Sequence, residues 1–472
     1  SSDRRPNIIF IMSDDHASHA MTCYGSVVNE TPHMDRIADE GVRLDNCFCT
    51  NSICTPSRAS ILTGKYSHAN GVREFNDMDQ RQMTVSKLLQ QSGYQTAIFG
   101  KWHLGHGGIS NPRGFDRWCV LPGQGLYHDP EFFDQSDEKT VVEGYATDII
   151  TDMSLDWLDD RDEDEPFFLM THHKAPHRPW DPDEKYMDMF EDEIPEPPTF
   201  WDDYENRATA AKIAEMRVGR DFRTRDTKYP RPDGLTDDEY KKWAYQRYMQ
   251  DYLRCVQSVD DNIGRMLDYL DEEGLAENTI IIYTSDQGFF LGDHGWYDKR
   301  FMYEESLRMP FVMRYPEEIE AGSINDDICL NVDFAPMFLD YAGLETPAQM
   351  QGRSFRDCLR GETPEDWRDS FYYRYWIHLD GGHNVFAHYG IRTDRYKLIY
   401  YYRNDPGPRE WELFDLEEDP MEMCSVYDDP DYADVVADLK QELLRLRSEV
   451  GDQEDPWPMG GRWPGSSRYR LR

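Results

Sequence analysis

Four short runs of unbroken apolar residues constrain this chain more than any other feature, because each stops abruptly at residues that carry chemistry. Ile8-Ile9-Phe10-Ile11-Met12 leads into Asp14-Asp15-His16, and Thr96-Ala97-Ile98-Phe99 leads into Lys101 and His103. Phe167-Phe168-Leu169-Met170 leads into His172, His173 and His177, and Ile280-Ile281-Ile282-Tyr283 leads into Asp286-Gln287. Runs that are apolar at every position, rather than at alternate ones, suit strands buried on both faces, as in a parallel sheet covered by helices. Ligands of such sheets bind beyond the carboxyl ends of the strands. The pattern predicts an α/β fold with a large mixed, mostly parallel sheet sandwiched by helices, and an active site at one sheet edge.

The chain has 472 residues, which favours one large domain plus a smaller one. Tyr252, Val256, Val259, Ile263, Met266 and Leu270 mark a helix that stops near Gly274, and residues 181–240, rich in Pro, Asp and Glu, read as an irregular excursion. The texture changes near residue 361. Phe371–Trp376, Tyr389–Arg392, Tyr396–Tyr402 and Trp411–Leu416 are β-prone, and Val435, Val436, Leu439, Leu443 and Leu446 share a helical face. We therefore expect a catalytic domain over 1–360, a smaller α+β domain over 361–456 (a small antiparallel sheet with a packed helix), and an irregular tail over 457–472.

With 51 basic and 91 acidic residues the net charge is −40. This excludes a nucleic-acid partner, which needs a basic footprint, and suits a protein that works in salt. An anionic substrate would be repelled at long range, so its pocket must carry local positive charge. No run approaches the roughly 20 apolar residues of a membrane helix. The nine cysteines show no zinc spacing and no C-x-x-C pair, and no disulfide pairing can be read from them.

Cys54-Thr55-Pro56-Ser57-Arg58 precedes Ala59-Ser60-Ile61-Leu62-Thr63-Gly64-Lys65. Thr55 suits a helix N-cap, Pro56 the first helical position and Gly64 the stop, which sets Cys54 at the positive end of a helix, with Arg58 one turn in. The whole segment resembles the signature of the type I sulfatases, within the alkaline phosphatase superfamily. The resemblance continues in order through Pro6–Phe10 into Asp14-Asp15, Gly100-Lys101-Trp102-His103-Leu104-Gly105, Ala175-Pro176-His177-Arg178-Pro179, and Ser285-Asp286-Gln287-Gly288 into Gly292-Asp293-His294-Gly295 and Lys299. It covers residues 6 to about 340 and implies an alkaline-phosphatase-like fold and hydrolysis of sulfate monoesters.

In that family the motif cysteine becomes formylglycine, made by a formylglycine-generating enzyme or an anaerobic maturase, and its hydrate is the nucleophile. Asp14, Asp15, Asp286 and Gln287 offer only oxygen ligands, which suits one calcium ion, and magnesium less well, with residue 54 (Cys54) as a further ligand. Many relatives carry Asn where this chain has Gln287. Arg58, Lys101, His103, His177 and Lys299 would form the positive pocket for sulfate. The resemblance implies that either His177 or Lys299 protonates the departing alcohol, and that His103 takes the proton whose loss expels sulfate. His16, His172, His173 and Arg178 are read as structural neighbours.

The expected substrate is a sulfated carbohydrate, of glycosaminoglycan, mucin or marine polysaccharide type. Arg374, His383 and His388 are the candidate sugar-binding residues, set in Arg374–His378, Gly381–Asn384 and His388–Gly390, a stretch that also resembles bacterial glycan sulfatases. Tyr375 and Trp376 serve equally as sheet core. The family is usually exported, and the chain starts as if trimmed before its first strand, so the expected location is periplasmic or extracellular. Two rivals remain: a phosphate or phosphonate ester hydrolase of the same superfamily, and a non-catalytic glycan-binding protein. Loss of Cys54, Arg58 or an acidic ligand would mark the latter, and none is lost.

Overall fold

The computed structural model describes residues 4–403 and 409–452. Its centre is a sheet of ten strands, and the four apolar runs occupy the middle of it as Asn7–Ser13, Gln95–Lys101, Phe167–His172 and Thr279–Ser285. These strands, with Arg117–Leu121, run parallel in the order Thr279–Ser285, Asn7–Ser13, Phe167–His172, Gln95–Lys101, Arg117–Leu121. Antiparallel strands flank them, Phe311–Arg314 on one side and Glu131–Asp134 on the other, where Lys139–Val141 pairs antiparallel with Glu131–Asp134 in turn. Three of the four central strands are buried at every residue, and Gln95–Lys101 at all but its first, as uniformly apolar strands require.

Helices cover both faces and divide the apolar interior into two clusters, with Ile8, Phe10 and Met12 in one and Ile9 and Ile11 in the other. That is the period-2 alternation of a strand whose two sides both meet core. The helix expected around Tyr252–Leu270 is longer than its apolar stripe indicated. It spans Asp237–Glu272, and a capping box of Thr236 and Glu239 starts it inside the segment read as irregular. The rest of that segment has only short helical turns: Glu184–Tyr186, Thr209–Ile213 and Thr224–Thr227.

Near the C-terminus, Ser370–Tyr375, His388–Thr393, Tyr396–Tyr401 and Glu410–Asp415 form an antiparallel sheet in chain order, and Ala433–Val450 packs on it. One apolar cluster contains both Ile8 of the large sheet and Leu398 and Leu446 of this small unit, so the two share a continuous core. The tail read over 457–472 lies outside the described residues. No helix among the described residues is long and apolar enough to cross a membrane.

Candidate functional site

Strand register assembles the site. Ser13 pairs with Ser285 and Met12 with His172, while Gly100 pairs with His172 from the other side. The residues that end or follow each strand, Asp14-Asp15, Asp286-Gln287, Lys101 and His173-Lys174, are therefore delivered to one edge. Backbone bonds extend the register past the strands: His173 N donates to Met12 O at 2.8 Å, and Asp14 N to Ala175 O at 3.3 Å. Asp15 turns back with φ +68°, in the left-handed region that Asp tolerates better than most non-glycine residues, and its N–H donates to Asp286 Oδ1 at 3.2 Å.

The helix Cys54–Thr63 points its N-terminus at this edge, is buried at all ten residues and ends at Gly64, φ +64°. It starts two residues earlier than the capping pattern indicated. Ile53 occupies the N-cap position, and the Thr55 hydroxyl donates instead to His103 O at 2.8 Å. Cys54 Sγ lies 3.2 Å from His103 Nδ1. Arg58, one turn in, bonds Asp286 Oδ2 through Nη2 at 3.1 Å and Lys101 O through Nη1 at 3.0 Å.

Three cations and three carboxylates interlock here. Lys101 Nζ bonds Asp14 Oδ2, Lys299 Nζ bonds Asp15 Oδ1 at 2.5 Å, and Arg58 bonds Asp286. His177 Nε2 stands 3.7 Å from Asp15 Oδ2. Burial lowers His103 and His177 well below the ordinary histidine value, reinforced by the neighbouring cations, so both rings are neutral and able to accept a proton. Lys299 is held above its ordinary value: burial opposes its charge, but Asp15 and Asp298 outweigh that effect. Burial pushes the Cys54 thiol up to about 11, so the unmodified side chain is a protonated thiol at neutral pH.

The donor set fits a hard cation. Ligand atoms of Asp14, Cys54 and Asp286 lie within 4.8 Å of one another, as do those of Asp14, Asp15 and His177. Asp14 Oδ1 and Gln287 Oε1 are buried with no hydrogen-bond partner, a costly state for oxygen atoms unless a cation accepts them. Burial raises Asp15 to about 7, with Asp286 and Asp298 adding repulsion that a divalent cation would relieve.

The four neighbouring residues differ in their contacts, and His172 Nδ1 lies 3.4 Å from Arg58 Nη1. His16 bonds Tyr283 at 2.6 Å, His172 and His173 are buried, and Arg178 makes a two-pronged pair with Asp226 at 2.7 and 2.5 Å. The three sugar candidates separate. His383 Nε2 contacts Asp298 Oδ2 at 2.5 Å, adjacent to Lys299 in sequence, and Asp380 bridges His383 and Arg300. His383 is thus brought to the site, in a charged cluster with Asp298, Arg300 and Asp380 that the sequence reading missed. The only signal was that Asp298 and Arg300 flank Lys299.

Arg374 and His388 are corrections. Arg374 is 2% exposed, bonds Asp452 at 2.9 Å and lies 3.7 Å from the Trp376 ring centre. His388 is fully buried among Tyr373, Tyr375, Tyr401 and Phe301. One of its ring nitrogens bonds Phe386 O and the other accepts from Met302 N. Strand pairing buries both, on opposite faces of the small sheet: His388, paired with Tyr375, packs against Phe301 of the large domain, whereas Arg374, paired with Tyr389, lies on the other face with Asp452 beyond the C-terminal helix. All nine cysteines are unpaired thiols.

The Sulfatase family model matches residues 6–344, and that of "N-sulphoglucosamine sulphohydrolase, C-terminal" matches 292–449. An N-acetylglucosamine-6-O-sulfatase of Bacteroides thetaiotaomicron is 46% identical over 499 residues, covering 96% of this chain and 88% of that protein. A solved structure described as a complex with its substrate D-glucosamine-2-N,6-O-disulfate superposes with a TM-score of 0.92 at 45% identity, covering 96% of this chain and 99% of that one. The phosphonate monoester hydrolase of Agrobacterium radiobacter shares the fold, with a TM-score of 0.75 at 22% identity over 94% of this chain and 96% of its own. The register-built edge, its acidic metal-binding cluster and the helix beginning at Cys54 thus stand in a chain matched along nearly its whole length, and the chain belongs to the sulfatase family.

Proposed function

We propose that this sulfatase removes O-sulfate from a carbohydrate, with a 6-O-sulfated glucosamine or N-acetylglucosamine unit as substrate. The observation that carries the reading is the position of Cys54: at the amino end of a buried helix, 3.2 Å from a neutral His103, among ligand atoms of Asp14 and Asp286. The 46% identical relative and the sulfated glucosamine named for the similar structure support the choice of sugar.

Formylglycine made from Cys54, by a formylglycine-generating enzyme or an anaerobic maturase, would supply a hydrated aldehyde in place of an inert buried thiol. One calcium ion, held by Asp14, Asp15, Asp286 and Gln287 beside residue 54, would supply positive charge for the sulfate and for an ionised oxygen. The chain's own groups account for the rest. Arg58, Lys101 and Lys299 hold the anion, and the free N–H groups of the helix start add to their field. His103 accepts a proton at Nδ1 beside residue 54. For the leaving alcohol, either Lys299 or His177, both beside Asp15, would supply the proton. Asp298, Arg300 and His383 offer hydrogen bonds to sugar hydroxyls next to Lys299. The family's habit of export supports a periplasmic or extracellular location.

The test is release from matched substrates by one calcium-loaded, formylglycine-bearing preparation. Sulfate should be released from N-acetylglucosamine 6-sulfate and from glucosamine 2-N,6-O-disulfate faster than product forms from an aryl phosphate or phosphonate. Faster turnover of the phosphonate would overturn the reading.

A further inference from the structure

The cations around residue 54 are neutralised within the protein, with one exception. Lys101 has Asp14, Lys299 has Asp15, Arg58 has Asp286, and Arg300 has Asp298 and Asp380. Lys174 is 3% exposed and, among the described residues, has no carboxylate within ion-pair distance. Its ammonium makes a single hydrogen bond, to Gln124 O at 3.1 Å, and lies 5.0 Å from the Tyr127 ring centre. An ammonium has three N–H donors, so this arrangement leaves two without a protein acceptor.

Lys174 is also fixed in place by the site's own framework. Its carbonyl accepts from His177 N at 2.9 Å, and the next residue, Ala175, accepts from Asp14 N. Gln124, which receives Lys174 at its backbone oxygen, receives Lys101 at its side-chain oxygen. The two lysines therefore converge on one loop residue. The charge on Lys174 is felt by His103, His177 and Lys101, and the carboxylates of Asp181 and Asp15 act on it in turn. Burial lowers Lys174 to about 8, so it remains charged at neutral pH.

A buried charge without a partner is unfavourable, and the anion that relieves it here is the one the pocket receives. We propose that Lys174 is a further substrate-binding residue, its Nζ donating to a non-bridging oxygen of the sulfate group. This deepens the reading given above and rests on it for the identity of the anion.

Lys174→Met, prepared as the calcium-loaded, formylglycine-bearing enzyme, tests it with inorganic sulfate as the binding probe. The expected result is a rise of about 10-fold or more in both KM for the sulfated sugar and the inhibition constant of sulfate, the scale of a lost charge-assisted bond. Without sulfate the variant should melt at or above the wild-type temperature, since an unpaired buried charge has been removed, and added sulfate should stabilise it less than wild type. Unchanged KM and unchanged sulfate inhibition would overturn the proposal. So would a melting temperature that falls well below wild type without sulfate, which would mark Lys174 as structural. If wild type releases no sulfate from sugars yet sulfate stabilises it more than the variant, the carbohydrate reading fails and the Lys174 assignment stands.

Discussion

Cys54 as a plain thiol is ill suited to the role proposed for it. As a thiol it is buried, raised to about 11 and neutral, and it lacks the second hydroxyl through which sulfate would leave. Peptide mass spectrometry of active enzyme should show sulfur lost at residue 54, and Cys54→Ser should lower turnover by roughly 10³-fold or more. Full activity in material carrying only intact cysteine would refute this. A second pair of residues separates surface from core. His383→Ala should depress activity on the sulfated sugar by about 10-fold or more while an aryl sulfate is hydrolysed within about 3-fold of wild type, the scale of losing a charged hydrogen bond. His388→Ala should instead lower stability by about 3 kcal/mol in denaturant titration, because it empties an aromatic pocket. Equal kinetic effects of the two substitutions on both substrates would contradict the division.

The elements that matter most are the parallel strands, whose side-by-side register sets where Asp14, Lys101, Lys174 and Asp286 emerge. Gly100 is the tightest point of that register. Its φ is +102°, and a Cβ there would lie 1.9 Å from His172 O on the adjoining strand. Gly100→Ala must therefore part the Gln95–Lys101 and Phe167–His172 strands, moving Lys101 and His172 together. We expect a loss of about 3 kcal/mol or more, with sulfate release lost in the same preparation. A variant that melts as wild type does would show that the strand edge is more pliable than this packing implies.

Across the whole molecule, a buried ionic network holds the small sheet to the large domain. Glu304 bonds Arg392 at 2.5 Å and Lys397 at 2.7 Å, and Lys397 also bonds Glu422 at 2.7 Å. Burial would raise Glu304, but Arg392, Lys397 and Arg308 outweigh it and hold it well below its ordinary 4.5. A depressed carboxylate contributes stability that is fully present above its unfolded value and is lost as pH falls through its folded one. Glu304→Gln should therefore cost about 3 kcal/mol at neutral pH, and its deficit in melting temperature should narrow as pH drops below 4.5. A deficit that stays constant down to acid would show that the carboxylate charge is not what holds the interface. Glu422 is raised by burial and runs in the opposite direction, so the acid limb is assigned to Glu304.

The central strands, the helix at Cys54 and the catalytic candidates were legible in the chain because each rests on local pattern: unbroken apolar runs, a proline near a helix start, a glycine at its end. Local pattern also suggested the small sheet, through its aromatic segments. It misled at Arg374 and His388, where polar residues between aromatics look like a binding loop until strand pairing turns them inward. Nothing local distinguishes Lys174 from other lysines, or joins Asp298 and Arg300 to His383 more than eighty residues on. Those relations exist only once distant segments pack, because burial and ion pairing depend on which atoms surround a side chain rather than on which residues precede it. The sequence by itself determined the sheet and the residue types at its edge; tertiary packing decided which cations are neutralised by carboxylates and left Lys174, among the described residues, without one.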